Sequence, residues 1–159
     1  MIEIQNTTKK DVAWIQDLFN RHWGGKIIVA KGIIHKPEEV EGMRALIGGK
    51  VMGAITYKAR ERELEIISLN SFEEGKGVGS ALLSGIIQLA KEKKLQKVCV
   101  ITTNDNLNAL RFYQKRGFRL TYIYPNALVQ SRKLKPGIPL VGENGIPLRD
   151  EIELEIKVC

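Results

Sequence analysis

The residues with the most evident chemical potential form a glycine-rich loop, Glu74-Gly75-Lys76-Gly77-Val78-Gly79-Ser80, which joins an apolar strand-like segment to a helix-like one. Its glycines occupy alternate positions, and without Cβ atoms the backbone can turn tightly and approach a ligand closely. The N–H groups at a helix start have no partner within the helix and carry the positive end of its dipole, so they favour phosphate. The loop predicts an anion site, with a flexible strand-to-helix turn as the alternative.

Two other phosphate-binding loops do not fit this sequence. A Walker loop requires Ser or Thr after Gly-Lys, whereas Gly77 follows Lys76. A dinucleotide fingerprint requires Gly where Ser80 stands and an acidic residue about 20 residues later, where Val98 and Cys99 occur. The loop therefore belongs to a different class of anion site.

A second pattern, Asn-x-x-Ala-x-x-Phe-Tyr-x-x-x-Gly-Phe, occupies residues 106–118. On a helix, Asn106, Ala109 and Tyr113 share one face. An amide, a gap and a phenol in line would suit a thin ligand that carries polar amides. The alternative is that Asn106 is only a helix cap and Tyr113 a core residue with a polar tip.

Hydrophobic periodicity and turn residues predict the elements that position these patterns. Thr8 and Asp11 form a loose capping box before a helix, and Gly48-Gly49-Lys50 turns a hairpin. Residues 24–36 give no clear prediction, and 125–150 resemble an irregular insertion with a turn of helix near Ala127. The remaining predicted elements are strands at 2–4, 64–69, 97–102, 119–124 and 151–158 and helices at 78–94 and 106–116.

The last predicted strand alternates strictly between glutamate and apolar residues. Alternation of this kind indicates one buried face and one solvated or partner-facing face. Together with the order of the other elements, it predicts a single α/β domain over residues 1–159, built on one mixed sheet.

Composition narrows the classes of partner. The formal net charge is +7, which suits nucleic acid, an acidic membrane surface or a small polyanion such as a nucleotide cofactor. No helix-turn-helix or zinc-finger spacing supports nucleic acid, and no apolar run approaches the ~20 residues of a membrane span. The two histidines and two cysteines are too scattered to hold a metal. Without a signal-peptide pattern or disulfide framework, we expect a cytoplasmic protein.

Together, the two patterns resemble those of the GNAT superfamily of acyl-CoA N-acyltransferases. There, a strand leads into a Gln/Arg-Gly-x-Gly-x-Gly/Ala loop, and an Asn-x-x-Ala-x-x-x-Tyr helix ending in Gly-Phe follows. The resemblance covers residues 45–124 and departs at Glu74, where the family has Gln or Arg. A carboxylate repels phosphate, which puts a contact between the Glu74 side chain and the cofactor in doubt. Lys76 is the residue whose positive charge would compensate for this repulsion. The resemblance implies an α/β (α+β) mixed sheet of about seven strands, with splayed central parallel strands, and about four helices.

For binding, the resemblance implies acetyl-CoA as cosubstrate, with its pyrophosphate on the loop amides and its pantetheine between the splayed strands. A main-chain N–H near Leu69 would polarise the thioester carbonyl. Asn106 would bond the pantetheine or hold the gap open. The implied binding residues are Ile67, Leu69, Gly75, Lys76, Gly77, Val78, Gly79, Ser80, Asn106, Ala109 and Tyr113.

For chemistry, the resemblance implies direct attack of an amine on the thioester while both substrates are bound. Tyr113 is the predicted general acid for the leaving thiolate, and Glu65 the predicted general base for the amine. An outward-facing strand residue is the alternative for Glu65. Glu63, Asp150 and His35 are further candidates for the base.

The acceptor is predicted to be a primary amine of a small molecule or of a protein. Trp14, Trp23, Phe19 and Tyr57 are candidates for its entrance. Arg149 and Asp150 would reach it or form a structural ion pair. The main alternative function is a CoA-binding module without catalysis. A homodimer that uses the last strand is left open, and we expect no nucleic-acid, membrane or metal partner.

Overall fold

The computed structural model describes residues 1–159 and contains nine strands and four α-helices. Single 3-10 turns lie at Lys9–Asp11, Pro37–Glu39 and Glu143–Gly145. In chain order the elements are β1 (Glu3–Asn6), α1 (Val12–His22), β2 (Ile28–Ala30), β3 (Ile33–His35), β4 (Glu41–Ile47), β5 (Lys50–Ala59), β6 (Glu63–Ser71), α2 (Val78–Glu92), β7 (Lys97–Thr103), α3 (Leu107–Lys115), β8 (Arg119–Tyr124), α4 (Ala127–Leu134) and β9 (Glu151–Lys157).

Seven strands form one mixed sheet in the order β1-β4-β5-β6-β7-β9-β8. Neighbouring strands run antiparallel except β6 and β7 at the centre, which are parallel because the chain crosses over between them through α2. This confirms the predicted mixed α/β sheet. Strands β2 and β3 form a separate hairpin, which the sequence did not predict in residues 24–36.

The parallel pair separates partway along its length. The last paired residues are Ile66 and Val100, although β6 continues to Ser71 and β7 to Thr103. The cause lies on the other side of β6, where Thr56 pairs with Ser68 but Tyr57 pairs with Ile66. Ile67 is therefore an extra residue in β6, a β-bulge that bends the strand away from its neighbour. The predicted splay of the central strands is confirmed.

Helices cover both faces of the sheet. Alternate strand residues point to opposite faces, so Ile55 packs in the core beneath α2, whereas Ala54 packs in a smaller core with α1. Helix α2 buries one stripe, which includes Leu82 and Ile86, and α1 buries Phe19 completely. Burial of such a stripe is what holds an amphipathic helix on a sheet.

Local sequence signals place several of these elements correctly. The capping box before α1 is present, because the Asp11 carboxylate accepts a hydrogen bond from the Thr8 N–H at 2.7 Å. The β4–β5 hairpin turns through Gly48 and Gly49, which both have positive φ. Within 125–150, the turn of helix predicted near Ala127 is a helix of eight residues, α4.

The prediction that the acidic side of β9 is solvated is wrong. Strand β9 lies between β7 and β8 rather than at an edge. Glu151 is only 2% exposed, and Glu153 accepts a hydrogen bond from the Tyr124 hydroxyl at 2.6 Å. Glu155 pairs with Lys97 at 2.6 Å. The strand alternates as predicted, but the rest of the fold covers its acidic side.

Candidate active site

A groove with a volume of about 610 Å³ opens beside β6, over the glycine loop and between α2 and α3. Gly77 is the N-cap of α2 and has φ 75°, a conformation that strains any residue with a Cβ. Ala81 is the first residue whose N–H bonds back to the helix start, at 3.0 Å from the Gly77 carbonyl oxygen. The N–H groups of Val78, Gly79 and Ser80 are therefore free to bind an anion at the groove.

The structure brings most of the residues predicted to bind the cosubstrate to this groove. Lys76 lies outside its lining, and Ile67 faces a different cavity behind the sheet. Glu74, the departure from the family pattern, does line it. The predicted residues that line the groove are Leu69, Gly75, Gly77, Val78, Gly79, Ser80, Asn106, Ala109 and Tyr113.

Asn106 stands at the junction of the groove and the cavity behind the sheet, because it lines both. Its Oδ1 accepts a hydrogen bond from the Ala109 N–H at 3.1 Å and so caps α3. Its amide nitrogen makes no hydrogen bond within the chain and remains available as a donor. Capping and a ligand contact, weighed as alternatives from the sequence, are thus compatible.

Tyr113 lies at the inner end of the groove, with its ring packed against Phe112 and Phe118. It is 4% exposed, and burial raises the pKa of its phenol above the ordinary value. The hydroxyl makes no hydrogen bond within the chain, yet it is not among the polar atoms sealed from solvent. It therefore keeps its proton at neutral pH and can offer it to a group in the groove.

Basic side chains that the sequence did not single out line the outer part of the groove. Arg111 and Lys115 project from α3, and Arg116 directly follows that helix. Arg116 stacks over the Phe112 ring at 3.8 Å from its centroid and donates from Nε to the Ser80 hydroxyl at 3.0 Å. The sequence could have indicated this basic surface through the spacing of Arg111 and Lys115, because helix residues four apart share a face. These cations add positive potential where the free loop amides lie.

The cavity behind the sheet has a volume of about 80 Å³. Residues of the β2–β3 hairpin form one wall, and residues of β6 up to the bulge and of β7 beyond the last pair form another. At its edge, the Trp23 indole N–H donates to the Asn70 side chain at 2.8 Å, which joins the end of α1 to β6. The bulge at Ile67 thus produces space on both sides of the sheet.

Glu65 lines this cavity and also a neighbouring one of about 220 Å³. It is nearly buried, which contradicts an outward-facing strand residue, and it forms an ion pair with Arg60. Both Arg60 hydrogen bonds reach Oε1, so Oε2 remains open to a ligand.

The other candidates for the base differ in position. Glu63 accepts a hydrogen bond from the Cys99 thiol at 2.8 Å and lines the neighbouring cavity. Asp150 accepts from the Asn126 N–H and pairs with Arg149, which lowers its pKa. Arg149 and Asp150 thus form a structural ion pair. His35 lines the cavity behind the sheet, and neither of its ring nitrogens has a partner.

Of the four aromatic residues suggested for an acceptor entrance, Trp23 alone lines this cavity. Phe19 and Tyr57 are core residues, and burial raises the pKa of Tyr57 to about 12. Trp14 lies under the Arg44 guanidinium, 4.9 Å from the ring.

Comparisons with known proteins show the family to which this chain belongs. The model of the acetyltransferase (GNAT) family matches residues 6–118. The Bacillus subtilis protein YdhI is 45% identical over 139 residues, which cover 87% of each chain. YxbD from the same organism is 43% identical over 141 residues, covering 88% of this chain and 89% of that protein.

Solved structures superpose over nearly the whole chain. An IAA acetyltransferase from Bacillus cereus does so with a TM-score of 0.72 at 26% identity, covering 99% of both chains. A GNAT family acetyltransferase from Elizabethkingia anophelis with acetyl-CoA bound has a TM-score of 0.71 at 24% identity, covering 98% of this chain and 97% of that one.

The splayed parallel pair and the glycine loop at a helix start define an acyl-CoA N-acyltransferase fold. The chain belongs to the acetyltransferase (GNAT) family. No helix combines the length and apolar character that crossing a bilayer requires. His, Cys, Asp and Glu side chains nowhere gather in threes as metal ligands would.

Proposed function

We propose that this chain transfers an acetyl group from acetyl-CoA to a primary amine, by direct attack while both substrates are bound. The observation that carries the proposal is the groove, where the free N–H groups at the start of α2 lie beside the end of β6 that has left β7. Family membership and the acetyl-CoA-bound relative support it.

The groove fits each part of acetyl-CoA by its chemistry. The amides of the glycine loop suit the pyrophosphate, and Arg111, Lys115 and Arg116 supply cations for the phosphates. The unpaired edge of β6 offers main-chain groups to the amides of the pantetheine arm. The Asn106 amide nitrogen is a further donor at its inner end. Such a groove would hold the thioester near the opening between β6 and β7.

Cavities on the other side of that opening suit a cation. The cavity behind the sheet and its neighbour are lined by four carboxylates, from Glu63, Glu65, Glu151 and Glu153, against two cations, from Lys31 and Arg60. This negative balance occurs in a chain whose formal net charge is +7. A protonated amine is the acceptor that such a charge distribution attracts.

The transfer requires three proton movements. The bound R–NH3⁺ gives one proton to Glu65 Oε2, and the neutral amine attacks the thioester carbonyl carbon, forming a C–N bond as the C–S bond breaks. The leaving thiolate takes a proton from Tyr113, and the nitrogen of the new amide loses its second proton and restores the phenol. The net products are the acetamide, CoA–SH and one proton. A general acid or base contributes about 10²–10⁴-fold in rate.

Calorimetry with acetyl-CoA, followed by thiol release over a panel of primary amines, tests the proposal. We expect binding and amine-dependent release of CoA, and the Glu65→Gln variant should lose the acidic limb of the pH–rate profile. Failure of the folded protein to bind acetyl-CoA would refute the proposal. Binding without turnover over the panel would favour a CoA-binding module, and an unchanged acidic limb would remove Glu65 from the role of base.

A further inference from the structure

Glu151 is a buried carboxylate without a cationic partner. It is 2% exposed, makes no ion pair and accepts one hydrogen bond, from the Lys31 N–H to Oε1 at 2.9 Å. The Lys31 ammonium reaches Glu153 instead. Glu151 Oε2 has no partner within the chain, and the residue lines the cavity behind the sheet. An unpaired buried carboxylate is costly, so this position favours a ligand that brings a positive charge.

His35 is a second buried polar group without a partner in the same cavity. It is 1% exposed, and neither Nδ1 nor Nε2 makes a hydrogen bond. Burial lowers the pKa of its imidazole, as do Lys58 and Arg60, whereas Glu65 and Glu39 oppose the shift. A neutral imidazole offers one donor and one acceptor. Nearly all buried polar groups find partners, so a ligand in this cavity would supply the partners that both groups lack.

We propose that this cavity binds the ammonium group of a compact free amine rather than an amino group of a folded protein. This inference rests on the acetyl transfer proposed above. Glu151 pairs with the ammonium, and the unprotonated nitrogen of His35 accepts one of its hydrogen bonds. Ile28, Ile67 and Ile101 provide apolar walls for a short aliphatic substituent.

The size and closure of the cavity set the limit on the acceptor. Its volume is about 80 Å³, and the β2–β3 hairpin closes one side. The hairpin is held to β9 at its turn, because the Lys31 N–H bonds to Glu151 and the Lys31 ammonium to Glu153. A lysine on a folded protein would need this hairpin to move, whereas a small amine needs only to enter beside it.

The test measures binding of n-butylammonium to the CoA-saturated protein by calorimetry, so that its readout does not require turnover. We expect Glu151→Gln to weaken binding about tenfold or more. Glu155→Gln, the same charge change on the same strand but outside the cavity, should leave it unchanged. n-Butanol, the uncharged probe, should bind the native protein and the Glu151→Gln variant with equal affinity.

His35→Leu tests the second partner without a folding penalty, since the imidazole makes no hydrogen bond within the chain. We expect weaker n-butylammonium binding with an undiminished Tm, and the native protein should lose affinity as falling pH protonates His35. In thiol release, n-butylamine should compete effectively against a lysine-containing peptide.

Equal binding of n-butylammonium by the native protein and the Glu151→Gln variant would overturn the inference, as would preference for the peptide. If CoA binds but n-butylammonium does not, the inference fails while the donor part of the proposed function stands. If CoA itself does not bind, the proposed function fails.

Discussion

The Lys135 ammonium donates a hydrogen bond to the Trp23 carbonyl oxygen at 2.5 Å, and a second one to the Ile27 carbonyl oxygen at 2.6 Å. Residue 135 directly follows α4, whereas the two carbonyls belong to the connection between α1 and β2. Burial lowers the pKa of Lys135. This contact ties the 125–150 segment to the hairpin that walls the cavity behind the sheet.

Lys135→Met should loosen that wall while leaving the groove intact. Hydrogen bonds from a charged donor contribute about 1.5–3 kcal/mol each, and two carbonyls would lose their partner. We expect a lower Tm and a raised KM for the amine, with an unchanged Kd for acetyl-CoA. Lys133→Met, at an exposed position in α4, is the matched control. Equal loss of affinity for both substrates would contradict this assignment.

Gly77→Ala should weaken acetyl-CoA binding through the backbone alone. A Cβ at Gly77 would meet nothing closer than Ile2 Cδ1 at 4.0 Å, so the variant changes only the strain at φ 75°. Gly48, with φ 58° and open space around it, provides a control with the same strain in the β4–β5 turn. Each variant should lose about 1–2 kcal/mol of stability. Calorimetry should show weakened acetyl-CoA binding for Gly77→Ala alone, and comparable binding by both variants would contradict the loop assignment.

Tyr113→Phe should reduce kcat about 10²-fold or more and leave the Kd for acetyl-CoA nearly unchanged. Because the hydroxyl has no partner within the chain, its removal should cost less than about 1 kcal/mol of stability. Single-turnover thiol release compares the variant with Tyr122→Phe, which changes an exposed phenol on β8. A native rate in Tyr113→Phe would exclude the phenol from the reaction.

Glu151→Gln should stabilise the substrate-free protein more as pH rises. Burial raises the pKa of Glu151 above the 4.5 of an ordinary glutamate. The folded state therefore binds this proton more tightly than the unfolded state, and its stabilising contribution is present below pH 4.5 and lost as pH rises through the folded pKa. Above that range the native protein bears a buried charge that glutamine lacks.

Denaturant unfolding of the native and Glu151→Gln proteins between acid and pH 8 measures this difference. Glu155→Gln should behave oppositely at neutral pH, because it loses the ion pair with Lys97. A constant difference between Glu151→Gln and the native protein at every pH would show that the carboxyl does not titrate as described.

The glycine loop and α2 were predictable because their signals are local. Alternate glycines before a helical stripe specify both the turn and the helix start, whatever surrounds them. The roles proposed for Asn106 and Tyr113 depended on the family resemblance, since spacing alone also suited a cap and a core residue.

The cavity behind the sheet was not predictable, because it depends on which elements meet. The charge alternation in β9 indicated a solvent-exposed face, yet the hairpin built by residues 24–36 lies over Glu151 and buries it. His35 gave no sign of its lack of partners, since burial is a property of the fold and not of the residue type. Lys135 likewise acquires its role only through chain segments that are distant in sequence.

The extra residue at Ile67 changes which face each later side chain of β6 occupies. Leu64 and Ile66 point into the core beneath α2, as does Leu69, although regular alternation would send an odd-numbered position to the opposite side. Deleting residue 67 would place Leu69 two positions after Ile66 and so leave it facing α2, but it would remove the bulge and realign β6 along β7. The proposed meeting point of donor and acceptor thus depends on the number of residues in one strand, and a shortening by one would abolish it with every polar side chain of the site still present.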